Sequence, residues 1–133
     1  MVAAVHMSDN FATVYAMSAK CLHAIDSVQD QPQTTLTHWQ LIKVRSSDGT
    51  FTRHLKGRAD GEGRASSSIV VLDIVGLQAT TQSGRIYVLE QPGRDGDADW
   101  VFGNWLRINA CTQHSDQTRA LLRLHAGKVK VAR

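Results

Sequence analysis

Cysteine and proline are both scarce, at two residues each in a chain of 133. Cys21 and Cys111 cannot build the dense disulfide framework that stabilises small secreted domains, so two separate reduced thiols are the default. So few prolines, with three tryptophans and 42% hydrophobic residues, exclude a proline-rich or low-complexity chain, and there is enough apolar surface for one continuous core. Long hydrophobic runs are also missing. Ile69 to Leu72 is interrupted at Asp73 before the apolar residues resume through Leu77, far short of the roughly 20 residues that span a bilayer. The N-terminus lacks the basic start, apolar stretch and cleavage site of a secretory signal, which leads to the expectation of a cytoplasmic protein without a membrane contact. Residues 1–7 read as a disordered or added start, with Met7 as the natural beginning.

What remains is a chain of single-domain size, with a net charge of +3 unevenly spread. Residues 1–35 carry −2, 36–66 carry +3, 67–114 carry −2 and 115–133 carry +4. Two basic regions permit an anionic partner without requiring one, since dedicated nucleic-acid domains concentrate charge more strongly.

Phe11, Val14, Tyr15, Leu22, Ile25 and Val28 recur at helical intervals behind Ser8, and Pro32 ends the pattern, which predicts a helix over 9–29. Residues 36–57 change to strand character around Ser46-Ser47-Asp48-Gly49, a turn that predicts a hairpin with Val44 opposite Phe51 and Leu41 opposite His54. Residues 57–64, with three glycines and alternating charge, read as a surface loop. Residues 66–72, 74–81 and 86–90 are expected to be strands. A helix follows the acidic stretch Asp95 to Asp99, with Val101, Phe102, Trp105, Leu106 and Ile108 in one apolar arc. A last short helix, capped at Ser115-Asp116, carries Leu121, Leu122 and Leu124 and closes at Gly127, before a basic tail over 128–133. The expected class is therefore α+β over residues 1–133: an N-terminal helix packed on a mostly antiparallel sheet of about five strands, followed by two short C-terminal helices.

No catalytic motif emerges. Asp95, Asp97 and Asp99 imitate the start of a calcium loop, but Trp100 stands where that loop needs glycine and Leu106 where it needs a bidentate glutamate. Cys21, His23, Cys111 and His114 are zinc-type ligands, yet on a helix Cys21 and His23 point about 200° apart. The glycines of 57–63 match neither a P-loop nor a dinucleotide fingerprint. His38, Arg53 and His54 would suit a small nuclease or toxin, but adjacent strand residues face opposite ways. Asp73 reads as a bulge or a strand switch. Neither a metal nor a cofactor is expected.

These readings point to a small non-catalytic protein acting by macromolecular contact, with a protein partner as the leading expectation. Its contact residues are placed on a strip of the acidic-capped helix, Trp100, Asn104 and Arg107, continued by Arg119 and Arg123 on the last helix. The alternative partner is a nucleic acid, met by Arg53, Lys56, Arg58 and Arg64 of the basic loop and by Lys128 and Lys130 of the tail.

Overall fold

The computed structural model describes residues 15–18, 21–24, 29 and 32–132. Among these residues there are nine strands: β1 (Tyr15–Ser18), β2 (Cys21–Ala24), β3 (Gln33–Arg45), β4 (Phe51–Ala59), β5 (Glu62–Ala65), β6 (Ile69–Asp73), β7 (Gln78–Thr81), β8 (Ile86–Leu89) and β9 (Gln113–Asp116). Two helices, α1 (Gly96–Ile108) and α2 (Thr118–Ala132), come after β8. Neither is long and apolar enough to cross a membrane.

The strands lie in the order β2-β1-β5-β4-β3-β8-β7-β6. The long strand β3 organises the sheet. Its first residues, 33–36, pair in parallel with β8, while residues 42–45 pair antiparallel with β9 and the stretch from Thr37 onward pairs with β4. The irregularity between Thr37 and Gln40, where His38 adopts φ 50°, bends the strand so that it can serve both ladders.

Four expectations need correction. The predicted N-terminal helix is absent: residues 15–18 and 21–24 are strands paired with each other, and β1 also pairs with β5. The remainder of 9–29, apart from residue 29, lies outside the described residues. The helical spacing was weak at its centre, because residues 16–21 hold no branched or aromatic side chain, and the open edge of β5 offers backbone partners that override such a pattern. Helix-on-sheet packing is supplied instead by α1, which lies on β5, β1 and β4. Second, the sheet is mixed and larger than five strands, through the parallel β3 and β8 pair.

Third, residues 57–64 form no loop. β4 continues to Ala59, and Asp60 and Gly61, both at positive φ (54° and 76°), turn the chain directly into β5. Gly63 is required there because a Cβ would lie 2.4 Å from the Ala98 nitrogen, where α1 begins against β5. Fourth, the C-terminal end differs. Residues 113–116 are a strand, and α2 runs through Gly127 to Ala132.

Each face of the sheet has its own core. On one side Ile42, Val44 and Ala65 meet Val101, Phe102 and Trp105 of α1. On the other, Leu36, Trp39, Leu41, Leu55, Tyr87 and Leu89 are closed over by Leu121 and Leu122 of α2. His125 reinforces that closure through a 2.8 Å bond to the Ile74 carbonyl. Ile108, expected in the apolar arc of α1, is 57% exposed, as is 54% of Leu124 on α2.

Candidate binding surface on the open sheet face

The β3–β4 hairpin sets the site. Arg45 pairs with Phe51, Lys43 with Arg53 and Leu41 with Leu55, one residue out of step with the register read from the sequence. The cause is the turn, which uses five residues. Ser46 N–H donates to the Thr50 carbonyl at 2.9 Å, and the Gly49 N–H donates to Ser46 at 3.0 Å. Asp48 locks it by accepting from Thr50 N–H at 3.0 Å and from the hydroxyls of Thr50 and Ser46. The Ser46 bond first, and then those of Thr50, pull the Asp48 carboxyl down to about 2.

A one-residue slip changes the face of every side chain. Leu41, Lys43 and Arg45 of β3 now share a face with Phe51, Arg53 and Leu55 of β4 and with Gln113 and Ser115 of β9. Leu41 and Leu55 lie beneath α2, whose first turn is anchored where the Gln117 N–H meets the Leu41 carbonyl and Thr118 Oγ1 accepts from Leu41 N–H. Beyond that anchor the face is open. Phe51 stays 51% exposed, with the Lys43 ammonium 4.2 Å from its ring centroid and the Arg45 guanidinium 5.7 Å away. Lys43, Arg45, Phe51, Gln113, His114 and Ser115 line an open cleft of about 200 Å³.

Among the described residues, Lys43, Arg45 and Arg53 form no ion pair with a carboxylate. Arg53 Nε donates to Gln117 Oε1 at 2.9 Å, which fixes the side chain without neutralising it. Asp48 is spent on its own turn. Asp116 belongs to the other alternation of β9, and its carboxylate takes bonds from Gln40 and Thr118.

The opposite face treats its cations differently. Arg58 bonds Asp95 at 2.6 Å and Asp97 at 2.7 Å, and these two carboxylates, Asp95 first, raise its guanidinium further above an already high range. Lys56 lies 2.9 Å from Asp99, which also receives Arg94. Burial alone would raise the Asp99 carboxyl, but the bonds from Lys56 and Arg94 hold it below the ordinary range. The acidic stretch read as a helix entry therefore has a second role. It clips α1 to β4 while Asp95 caps the helix through the Ala98 N–H.

The residues singled out in the sequence fall into separate places. Trp100, Asn104 and Arg107 do line one outer strip of α1, with Trp100 43% exposed, Asn104 Nδ2 donating to the Trp100 carbonyl at 2.8 Å and Arg107 bonded to Asn104. Arg119 and Arg123 are exposed on α2, Arg119 just after the helix anchor. Arg53 lies on the open face, Lys56 and Arg58 are joined to the acidic stretch, and Arg64 is buried at 3% exposure, 3.6 Å from Asp60. Lys128 is exposed near the end of α2; the side chain of Lys130 lies outside the described ones. Lys43, Arg45 and Phe51 were missed. Their signal was the alternation Lys43-x-Arg45 and Phe51-x-Arg53 across the turn, legible only with the five-residue turn in hand.

His38, Arg53 and His54 do not gather. His54 is fully buried, Arg53 points to the opposite face, and His38 is exposed at the bulge of β3. The zinc-type set is also divided, because β2 ends the strand order while Cys111 and His114 lie on the β9 side of β3. Among the described residues no three of His, Cys, Asp and Glu converge on a point where a metal ion would sit. Partial burial pushes the Cys111 thiol up, which makes it a poor nucleophile. Asp73 serves the turn after β6 by accepting from the Gly76 N–H at 2.9 Å. Comparison with known proteins finds no matching family model, no similar curated protein and no similar solved structure.

Proposed function

We propose that this is a non-catalytic binding protein whose ligand is a nucleic-acid backbone, held on the face formed by β3, β4 and β9. The observation that carries this reading is the set Lys43, Arg45 and Arg53, three neighbouring cations without a carboxylate among the described residues. Cations held side by side on a low-dielectric surface raise the local positive potential and attract phosphates. Arg119 and Arg123 extend the same sign onto α2. Three phosphate contacts predict an affinity that falls with salt, with a log–log slope of about −2 to −3. The double variant Lys43→Glu, Arg45→Glu should weaken nucleic-acid binding by about tenfold or more and flatten that slope, at an unchanged thermal midpoint. Unchanged affinity and slope would refute the reading.

A protein partner on α1 is a second reading, favoured by the exposure of Trp100 and Ile108 on either side of the Asn104–Arg107 pair. Trp100→Ala with Arg107→Glu should then cost about 2 kcal/mol or more of partner binding. A large loss of thermal stability without a separate binding loss would instead make Trp100 a packing residue.

A further inference from the structure

Resting on the backbone-binding reading, we infer that the open face takes single-stranded nucleic acid, one of whose bases stacks on Phe51. Cations alone would not distinguish a single strand from a duplex, because both present phosphates. The ring makes the difference. Phe51 is the first residue of β4, half exposed and outside both core clusters, and two cations of the adjacent strand β3, Lys43 and Arg45, lie over its ring. Such a ring gives up part of the burial energy a phenylalanine ordinarily contributes. An aromatic face set among cations is the arrangement in which an unpaired base can stack while its flanking phosphates reach the charges. In a duplex the π-faces of the bases are already covered by their neighbours, so Phe51 would have nothing to stack on.

The surrounding geometry agrees with a strand laid across the sheet. Phe51 and Arg45 are directly opposed, as are Lys43 and Arg53, so the ring and its cations form a compact block on two adjacent strands. Gln113 and Ser115 of β9 stand on the other side of β3, exposed and level with Arg45 and Lys43. Three strands at about 4.8 Å spacing make a platform about 10 Å wide, enough for a few nucleotides. Gln113 and Ser115 supply donors and acceptors for base edges or sugar hydroxyls without imposing a sequence, because among the described residues neither side chain is held by a hydrogen bond. The ligand class is therefore a short single-stranded segment, bound with little sequence preference.

Fluorescence anisotropy on the full chain tests this with three probes: a labelled oligothymidylate, the same length as duplex, and heparin as a phosphate-free polyanion. The single strand should bind about tenfold or more tighter than the duplex. Phe51→Ala should weaken single-strand binding about 5- to 150-fold while leaving duplex and heparin affinities and the salt slope unchanged. Phe51→Trp should retain or improve it, which guards against a folding defect in the alanine variant. Duplex bound as tightly as single strand, with Phe51→Ala and Phe51→Trp both silent, overturns the stacking inference and leaves backbone binding standing. Lys43→Glu, Arg45→Glu without effect on any probe removes the backbone reading and this inference with it.

Discussion

His54 offers a measurement that reads the core directly. Its imidazole is fully buried between β4 and α1, with the ring centroid 4.4 Å from that of Trp105. Nδ1 lies 3.1 Å from the Ser66 carbonyl, which can only accept, so Nδ1 carries the proton. Nε2 then accepts from the Thr52 hydroxyl at 2.7 Å. Both nitrogens are satisfied in the neutral ring, and burial, partly opposed by the Ser66 and Ser67 backbone bonds, pushes the imidazole down from 6.5 to about 4. Between pH 4 and 6.5 the unfolded chain therefore binds a proton that the folded chain refuses. The stability contributed by neutral His54 is complete above pH 6.5 and is lost as the pH falls towards 4. At about 1.4 kcal/mol per pH unit, the loss reaches about 3 kcal/mol. His54→Gln keeps a donor and an acceptor on the ring's site but cannot titrate. Urea denaturation followed by tryptophan fluorescence, at intervals from pH 4 to 7.5, should show the wild-type stability falling more steeply than that of the variant across this window. Parallel profiles would mean that His54 is protonated inside the fold or accessible to water, and the argument from burial would fail.

Gly63→Ala should destabilise by about 2 kcal/mol or more, because its Cβ would collide with the backbone where α1 starts; urea midpoints measure it. Gly103→Ala, on an exposed turn of α1 with nothing within 4 Å of a new Cβ, should stabilise by up to about 1 kcal/mol, and a loss there would show that the outer face of α1 is covered. Arg58→Ala removes the clip to Asp95 and Asp97 and should lower stability by about 1 kcal/mol, an effect that shrinks in high salt. Trp100→Ala should change thermal stability by about 1 kcal/mol or less, since that side chain lies on the outer strip of α1.

Local chemistry in the sequence was enough for some elements. α1 was legible because Asp95 caps it, Asp97 and Asp99 lie in its first turn, and Val101, Phe102 and Trp105 repeat at helical spacing. The β3–β4 hairpin was legible from its strand residues and Asp48-Gly49. Membership in the site was not, because it depends on a single residue of register that is set by hydrogen bonds inside the turn.

Composition, charge distribution, the capped helix α1 and the existence of the central hairpin follow from local residue chemistry alone, as does the lack of a recognisable catalytic motif. Tertiary structure decided the rest, for reasons of pairing and neutralisation. Tyr15–Ser18 is a strand because β5 presents an open edge, a partner nearly fifty residues away. β3 and β8 are parallel because the bend at His38 carries the first half of β3 to a separate ladder. Lys56 and Arg58 look no different in sequence from Lys43 and Arg45. Only the fold brings the first pair against Asp95, Asp97 and Asp99 and leaves the second pair beside an exposed phenylalanine, because strand alternation sends them to opposite faces and α1 covers just one.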